Sequence, residues 1–183
     1  MKIRLKTICI YLCKCIFVND YIKIDNETMN SSVSELLKNG ELYSVDCEDQ
    51  KSLFSFLNGQ LLGRGMVRET FYNALTEREK NFPTGIVDDP FNIALPHVDS
   101  EHVKTNALIV CRLKNEIMFH RMDKIVDTIP VKMVFLLLIQ NEKMHVEALM
   151  NLTKLWTDQN FMNELLTLDK KDDLVHELEE RRL

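Results

Sequence analysis

Residues 131–139 read VKMVFLLLI, an apolar run interrupted only by Lys132. A strand with one face in water alternates apolar and polar residues, whereas a strand covered on both faces is apolar almost throughout. The run therefore predicts a strand inside a sheet that is buried on both sides. Helices elsewhere in the chain must cover the two faces of this strand.

The segments around this strand alternate between helical and extended patterns. Helices are predicted where apolar residues recur at i, i+4 and i+7, and strands where short apolar runs lie between turn residues. The predicted helices cover residues 49–62, 67–80 and 143–156, with one or two more in 158–182, and the predicted strands cover 91–95, 107–113, 117–119 and 131–139. This order predicts a single α/β domain in which helices flank a sheet.

The composition of the chain limits its possible functions. With 183 residues, of which 45% are hydrophobic, it has enough apolar material for one sizeable core. Its net charge of -5, without a block rich in lysine and arginine, argues against a nucleic-acid partner. The five cysteines include no CxxC pair and are too few for a disulfide scaffold, so we expect reduced thiols and a cytoplasmic protein.

Residues 1–28 differ in character from the rest of the chain. Basic residues precede an apolar run at 7–18, an arrangement that partly matches a signal peptide. However, Lys14 interrupts the run, no small-x-small cleavage site follows it, and it is too short to cross a bilayer. We therefore expect an N-terminal extension without membrane insertion, either a tail, an extra strand or an upstream start before Met29. The globular domain is expected in residues 29–183.

Several common catalytic motifs are absent from the sequence. It contains no GxxxxGK(S/T) loop, no GxGxxG turn after a strand and no HExxH helix, so we expect neither a nucleotide cofactor nor a catalytic metal. The segment 97–102, HVDSEH, is rich in possible ligands but lacks a spacing that dictates a metal geometry. Cys111 lies among apolar residues of a predicted strand, and we expect an inert buried thiol there.

Three polar side chains remain as candidates for a functional site. His97 lies just beyond a predicted strand, which is a favoured place for functional residues and also an ordinary loop position. His145 shares a helical stripe with Leu149 and Trp156, where a histidine is more often packed in the core than active. Arg78 extends the apolar stripe of its helix, so its guanidinium should either bind an anion or reach water near the helix C-terminus.

Three short segments occur in a recognisable order: LTEREK at 75–80, FPTGI at 82–86 and IALPH at 93–97. In this order they resemble the type-2 enzyme IIA (EIIA) domains of the bacterial phosphoenolpyruvate:sugar phosphotransferase system (PTS). That family includes mannitol, fructose and galactitol components, and the FPTG stretch is most similar to the galactitol-type branch. The resemblance spans residue 33 to the C-terminus by order of elements, and it implies a mixed central sheet flanked by helices.

The resemblance also implies a function for the three candidates. In such domains the histidine of the Pro-His pair takes a phosphoryl group from the histidine phosphocarrier protein and passes it to a cysteine of a IIB component. Here that histidine is His97, and the implied attacking atom is Nε2. The resemblance further implies that Arg78 stabilises the phosphoryl group and that His145 assists the transfer, without a cofactor.

Some alternatives stay open at this point. The family commonly has a small or hydroxylated residue after the Pro-His pair, whereas this chain has Val98, whose β-branched side chain restricts the loop. The protein is a phosphoryl carrier for sugar uptake, a regulatory IIA-like protein whose phosphorylation controls a partner, or a non-catalytic scaffold of the same fold. The transported sugar is selected by a membrane component, so the sequence does not identify it.

Overall fold

The computed structural model describes residues 32–181, with 142 and 143 described by their backbone alone. In chain order the elements are α1 (Val33–Asn39), β1 (Glu41–Val45), α2 (Gln50–Gly63), α3 (Phe71–Asn81), β2 (Gly85–Ile86), β3 (Ile93–Ala94), a 3-10 turn (Ser100–His102), β4 (Ala107–His120), β5 (Thr128–Leu138), α4 (Glu142–Trp156), α5 (Gln159–Leu165) and α6 (Lys171–Glu180). The predicted N-terminal extension and the start at Met29 lie outside the described residues.

The strands form one mixed sheet with the order β1-β4-β5-β3-β2. Strand β5 lies at its centre, antiparallel to β4 on one side and parallel to β3 on the other. The outer strands follow a different pattern, because β1 runs parallel to β4 and β2 runs antiparallel to β3. Together with the flanking helices, this confirms the predicted α/β class and the mixed sheet.

Strand β5 is buried on both faces, as its apolar run predicts. Because successive side chains of a strand point to opposite faces, its residues divide between two separate cores. Those facing the first core are Met133, Phe135 and Leu137, and those facing the second core are Val134, Leu136 and Leu138. Helices α1, α4, α5 and α6 supply the first core, while α2 and α3 supply the second. The domain is therefore a three-layer arrangement of helices, sheet and helices.

Lys132 is the polar exception within the run, and the structure gives it a specific role. The register between β4 and β5 shifts between Arg112 and Ile117, so residues 113–116 of β4 have no regular partner in β5, and 114–116 are exposed. The Lys132 ammonium donates a hydrogen bond to the Lys114 carbonyl in this bulge, at 3.0 Å. A carbonyl left over by the irregular pairing is thereby satisfied.

The structure corrects three of the predicted boundaries. The strands expected at 107–113 and 117–119 are one strand, β4, because the bulge bends the backbone without ending it. The helix expected at 67–80 begins at Phe71, since Val67 instead pairs with Val103 in an isolated bridge. The strand expected at 91–95 is reduced to the two residues of β3.

Elements α1 and β1 were not predicted at all. Helix α1 has seven residues, which is shorter than the window in which a helical period becomes visible. Ser32 caps the N-terminus of this helix, and its hydroxyl oxygen accepts a hydrogen bond from the Glu35 amide at 3.1 Å. Within residues 32–181, no helix has both the length and the apolar content needed to cross a membrane.

The junction between α1 and β1 requires a glycine, and this gives a test of the fold. A Cβ atom on Gly40 would lie 1.7 Å from the backbone oxygen of Leu108 in β4. We expect Gly40→Ala to lower the free energy of unfolding by about 1–3 kcal/mol, because backbone atoms must move apart. The measurement is urea denaturation followed by circular dichroism.

Gly59→Ala is the matched control for this substitution. Gly59 lies in α2, where an added Cβ would meet nothing within 4 Å. Here alanine should stabilise the protein by about 0.5–1 kcal/mol, since it lowers the entropy lost when the helix forms. Equal effects of the two substitutions would contradict the proposed close approach of Gly40 to β4.

Candidate functional site

His97 is positioned by the end of the short parallel pair of β3 and β5. Beyond β3 the chain continues beside β5, with the Leu137 amide donating to the Pro96 carbonyl at 3.2 Å and His97 bridged to Leu137. His97 therefore lies at the carboxyl end of the central strand, where loops of open α/β sheets commonly form binding sites. Its side chain is only 3% exposed.

Two contacts determine which ring nitrogen of His97 carries the proton. Nδ1 lies 2.9 Å from the Leu95 carbonyl oxygen, which only accepts, and Nε2 lies 3.0 Å from Nη2 of Arg78, which only donates. Nδ1 is therefore the protonated nitrogen, and the lone pair of Nε2 is directed at the guanidinium. A neutral imidazole with an unprotonated Nε2 is the form required of a nucleophile.

Arg78 approaches His97 from the last turns of α3. Its Nη1 donates to Oδ1 of Asp99 at 2.7 Å, so the guanidinium lies between a histidine and a carboxylate. The ring of exposed Phe82 lies 5.9 Å from the guanidinium carbon. The alternative in which Arg78 simply extends into water is thus excluded, because its side chain is only 14% exposed.

His145 completes the group from the first turn of α4. Its ring is perpendicular to that of His97, and the ring centroids are 4.9 Å apart. His145 is 8% exposed, and its Nε2 has no hydrogen-bond partner among the described residues. All three residues singled out in the sequence are therefore brought together, although this proximity leaves their roles as predictions.

Burial keeps both histidines neutral. Burial lowers the pKa of His97 to about 3, and the neighbouring His145 and Arg78 act in the same direction. Burial likewise lowers the pKa of His145 to about 4, aided by Arg78 and opposed by Asp99. Since a charged imidazole would have to lie beside a guanidinium out of water, both rings remain unprotonated well below neutral pH.

Glu79 is a buried residue near the site that the sequence interpretation missed. Its carboxylate accepts hydrogen bonds from the amide of Thr84, at 3.0 Å, and from the Thr84 hydroxyl, at 2.8 Å. Burial raises the pKa of Glu79 to about 7, against the opposing effect of these two bonds. One signal was available in the sequence, because Glu79 lies four residues after buried Leu75 on the same helical face.

The segment after His97 is tied to the body of the domain by two side chains. Val98 is buried in the second core, so its branched side chain is directed into the packing of the domain. The hydroxyl of Thr70 contacts Nδ1 of His102 at 2.8 Å, which ties that histidine to the start of α3. Among the described residues no three histidine, cysteine, aspartate or glutamate side chains are grouped in a way that would hold a metal ion.

Cys111 is fully buried, as predicted, in the second core. Burial strongly raises the pKa of its thiol, because a thiolate would be unsolvated there. A thiol that stays protonated is a poor nucleophile, so Cys111 contributes packing. Cys47 is the other free cysteine in the described part of the chain.

The fold agrees with what sequence comparison finds. The family model described as "Phosphoenolpyruvate-dependent sugar phosphotransferase system, EIIA 2" matches residues 16–181. The chain therefore belongs to this EIIA family of the sugar phosphotransferase system, and the resemblance seen in its three short motifs is confirmed. Membership implies phosphotransferase activity in general terms.

Individual relatives place the chain within that family. The galactitol-specific EIIA component of Escherichia coli (strain K12) is 29% identical over 120 residues, which are 66% of this chain and 79% of that protein. The nitrogen regulatory protein IIA-Ntr from Neisseria meningitidis has a similar fold, with a TM-score of 0.63, 24% identity and coverage of 80% of this chain and 98% of that one.

A second similar structure is a complex. It contains enzyme IIAMTL and phosphorylated enzyme IIBMTL from Escherichia coli, and it matches with a TM-score of 0.60 and 19% identity. The match covers 76% of this chain and 94% of that chain. At this level of identity the likeness concerns the fold.

The neutral state of the two histidines can be measured directly. In an NMR pH titration, the ring signals of His97 and His145 should show no protonation midpoint between pH 8 and pH 5, because burial and Arg78 disfavour the charged rings. In Arg78→Gln both midpoints should move upward. A midpoint near 6.5, the value of an unperturbed histidine, in the parent protein would contradict this description of the site.

Glu79→Gln tests the buried carboxyl group. Glutamine keeps an acceptor for the Thr84 amide and a group that pairs with its hydroxyl, but it does not titrate. Because the folded-state pKa of Glu79 is raised from 4.5 to about 7, the parent protein should lose stability as pH rises through that window. The free energy of unfolding of the variant, relative to that of the parent, should therefore rise by up to about 3 kcal/mol between pH 4.5 and pH 8. If the free energies of unfolding measured with urea depended on pH in the same way in both proteins, the raised pKa of Glu79 would be refuted.

Proposed function

We propose that this protein carries a phosphoryl group on Nε2 of His97, receiving it from the histidine phosphocarrier protein and passing it to a IIB component during sugar uptake. The observation that carries this proposal is the contact between the Nε2 lone pair and the Arg78 guanidinium at 3.0 Å. A nucleophilic nitrogen beside a permanent cation is the pairing that a dianionic phosphoryl group requires. Family membership supports the same reaction class.

The transfer needs few groups from the protein. The Nε2 lone pair of His97 attacks the phosphorus of the donor phosphohistidine, and a new N–P bond forms as the donor N–P bond breaks. The electron pair of the broken bond returns to the donor imidazole. The proton on Nδ1 of His97 remains there, bonded to the Leu95 carbonyl, so the step needs no external base.

Arg78 and His145 then act on the transferred group. Once Nε2 is bonded to phosphorus, the Arg78 N–H groups are available to the phosphoryl oxygens and neutralise their charge. The His145 ring packs perpendicular to the His97 ring. Its Nε2 has no hydrogen-bond partner among the described residues. In the neutral tautomer that carries its hydrogen on Nε2, His145 donates a further hydrogen bond to the phosphoryl group and assists its onward transfer.

The partners follow from this role. The donor and the acceptor approach the same end of the sheet in turn, and both contacts are transient and modest in area. We assign the function to residues 29–183 and treat residues 1–28 as an extension. We place the protein in the cytoplasm, where reduced thiols such as those of Cys47 and Cys111 persist.

Phosphate labelling tests the proposed function. With labelled phosphoenolpyruvate, the first enzyme of the system and the phosphocarrier protein, the parent chain should acquire acid-labile label and His97→Ala should acquire none. Arg78→Ala should take up label at least tenfold more slowly, since the developing charge is less stabilised. His145→Ala should accept label and pass it poorly to a IIB component.

His176→Ala is the control, because this histidine lies exposed on α6 and should leave labelling unchanged. Label retained in His97→Ala would overturn the proposal. Label that the parent accepts but never passes to a IIB cysteine would instead favour the regulatory role.

A further inference from the structure

Asp99 makes a contact that the transfer reaction as described does not use. It follows His97 by two residues, and its Oδ1 accepts from Nη1 of Arg78 at 2.7 Å. The same guanidinium reaches Nε2 of His97 through Nη2, at 3.0 Å. The Asp99 carboxylate therefore occupies the guanidinium that a phosphoryl group on His97 would need.

The position of Asp99 in the backbone makes this contact informative. Asp99 precedes the 3-10 turn Ser100–His102, and an aspartate at such a position ordinarily accepts a hydrogen bond from the first amides of the turn. Its side chain makes no such capping bond. The carboxylate is directed to Arg78 instead, although the Asp99 side chain is 70% exposed and has room to turn into water.

We propose that Asp99 is a displaceable counter-ion: it holds Arg78 while His97 is unmodified and releases it to the phosphoryl oxygens when His97 is phosphorylated. This inference rests on the proposed function. Competition between the two anions for one guanidinium raises the free energy of the phosphohistidine form relative to the free form. The phosphoryl group is therefore held less tightly and passes more readily to an acceptor.

The partners of Arg78 change in a defined order during the transfer. In the free state one N–H of Arg78 donates to Nε2 and another to the Asp99 carboxylate. Phosphorylation replaces the Nε2 lone pair with an N–P bond, as described above, and the phosphoryl oxygens then take up the guanidinium donors. Asp99 retains its charge and turns toward water, and it returns when the N–P bond breaks in favour of the acceptor.

The size of the effect is limited by solvent. Exposed ion pairs contribute little in water, but the carboxylate here competes with a dianion for the same cation. We expect Asp99 to lower the equilibrium ratio of phosphorylated to free chain by about threefold to tenfold. Such a change tunes the direction of transfer without preventing phosphorylation.

Asp99→Asn tests this inference, since asparagine retains the shape of the side chain and removes its charge. Each protein is equilibrated with labelled phosphocarrier protein, and the share of label on the chain is measured. Asp99→Asn should raise the ratio of phosphorylated to free chain by about threefold to tenfold and slow the release of phosphate to a IIB component. Glu101→Gln removes one charge from an exposed neighbour that contacts His102, and it should keep the parent ratio.

A second measurement does not depend on the transfer reaction. Inorganic phosphate is titrated into each unphosphorylated protein while the NMR signals of His97 and the Arg78 side chain are followed. Phosphate should bind Asp99→Asn several-fold more tightly than the parent protein or Glu101→Gln, because the carboxylate of Asp99 no longer competes with phosphate for Arg78. Equal phosphate affinity would overturn the inference.

The outcomes separate the two proposals. If the parent chain takes no label at all, the proposed function falls and this inference falls with it. If the parent is labelled and Asp99→Asn reaches the same equilibrium ratio, the counter-ion role alone is wrong.

Discussion

Burial of β5 on both faces is the constraint from which the rest of the molecule follows. Because its side chains enter two cores, helices must cover each side of the sheet, and the strand cannot lie at an edge. Its pairing with β3 then brings His97 to the carboxyl end of the strand, and the helix that follows β5 brings His145 to the same point. The site is thus a direct product of how the central strand is packed.

Electrostatics at this point favour uncharged histidines beside a charged arginine. Arginine stays protonated in proteins, whereas burial and that same arginine keep His97 and His145 neutral. The burial of His97 therefore preserves the lone pair, and under the proposed function it would also exclude water that hydrolyses a phosphohistidine. Asp99 places a carboxylate against the same guanidinium.

Sequence patterns predicted the long elements of this fold and missed the short ones. The apolar run of β5 and the stripe of α4 extend over enough residues for their periods to be visible, whereas α1 and β1 do not. The bulge that joins two predicted strands into β4 depends on pairing with β5, which the local sequence does not specify. His97, Arg78 and His145 were candidates from their positions and from motif order. The contact of Asp99 with Arg78 joins residues that only folding brings together, whereas Glu79 and Thr84 are five residues apart and meet through the turn between them.

The bond between Glu79 and Thr84 has a mechanical consequence for the site. Glu79 is the covalent neighbour of Arg78, the Thr84 carbonyl accepts from the Leu95 amide at 3.4 Å, and the Leu95 carbonyl holds the His97 ring. With the contact from Arg78 back to His97, these links form a closed circuit. Sliding α3 along the sheet would have to break a buried link of this circuit before Arg78 and His97 could separate. Under the proposed function, we therefore expect partner docking to rotate side chains around His97 rather than to move α3.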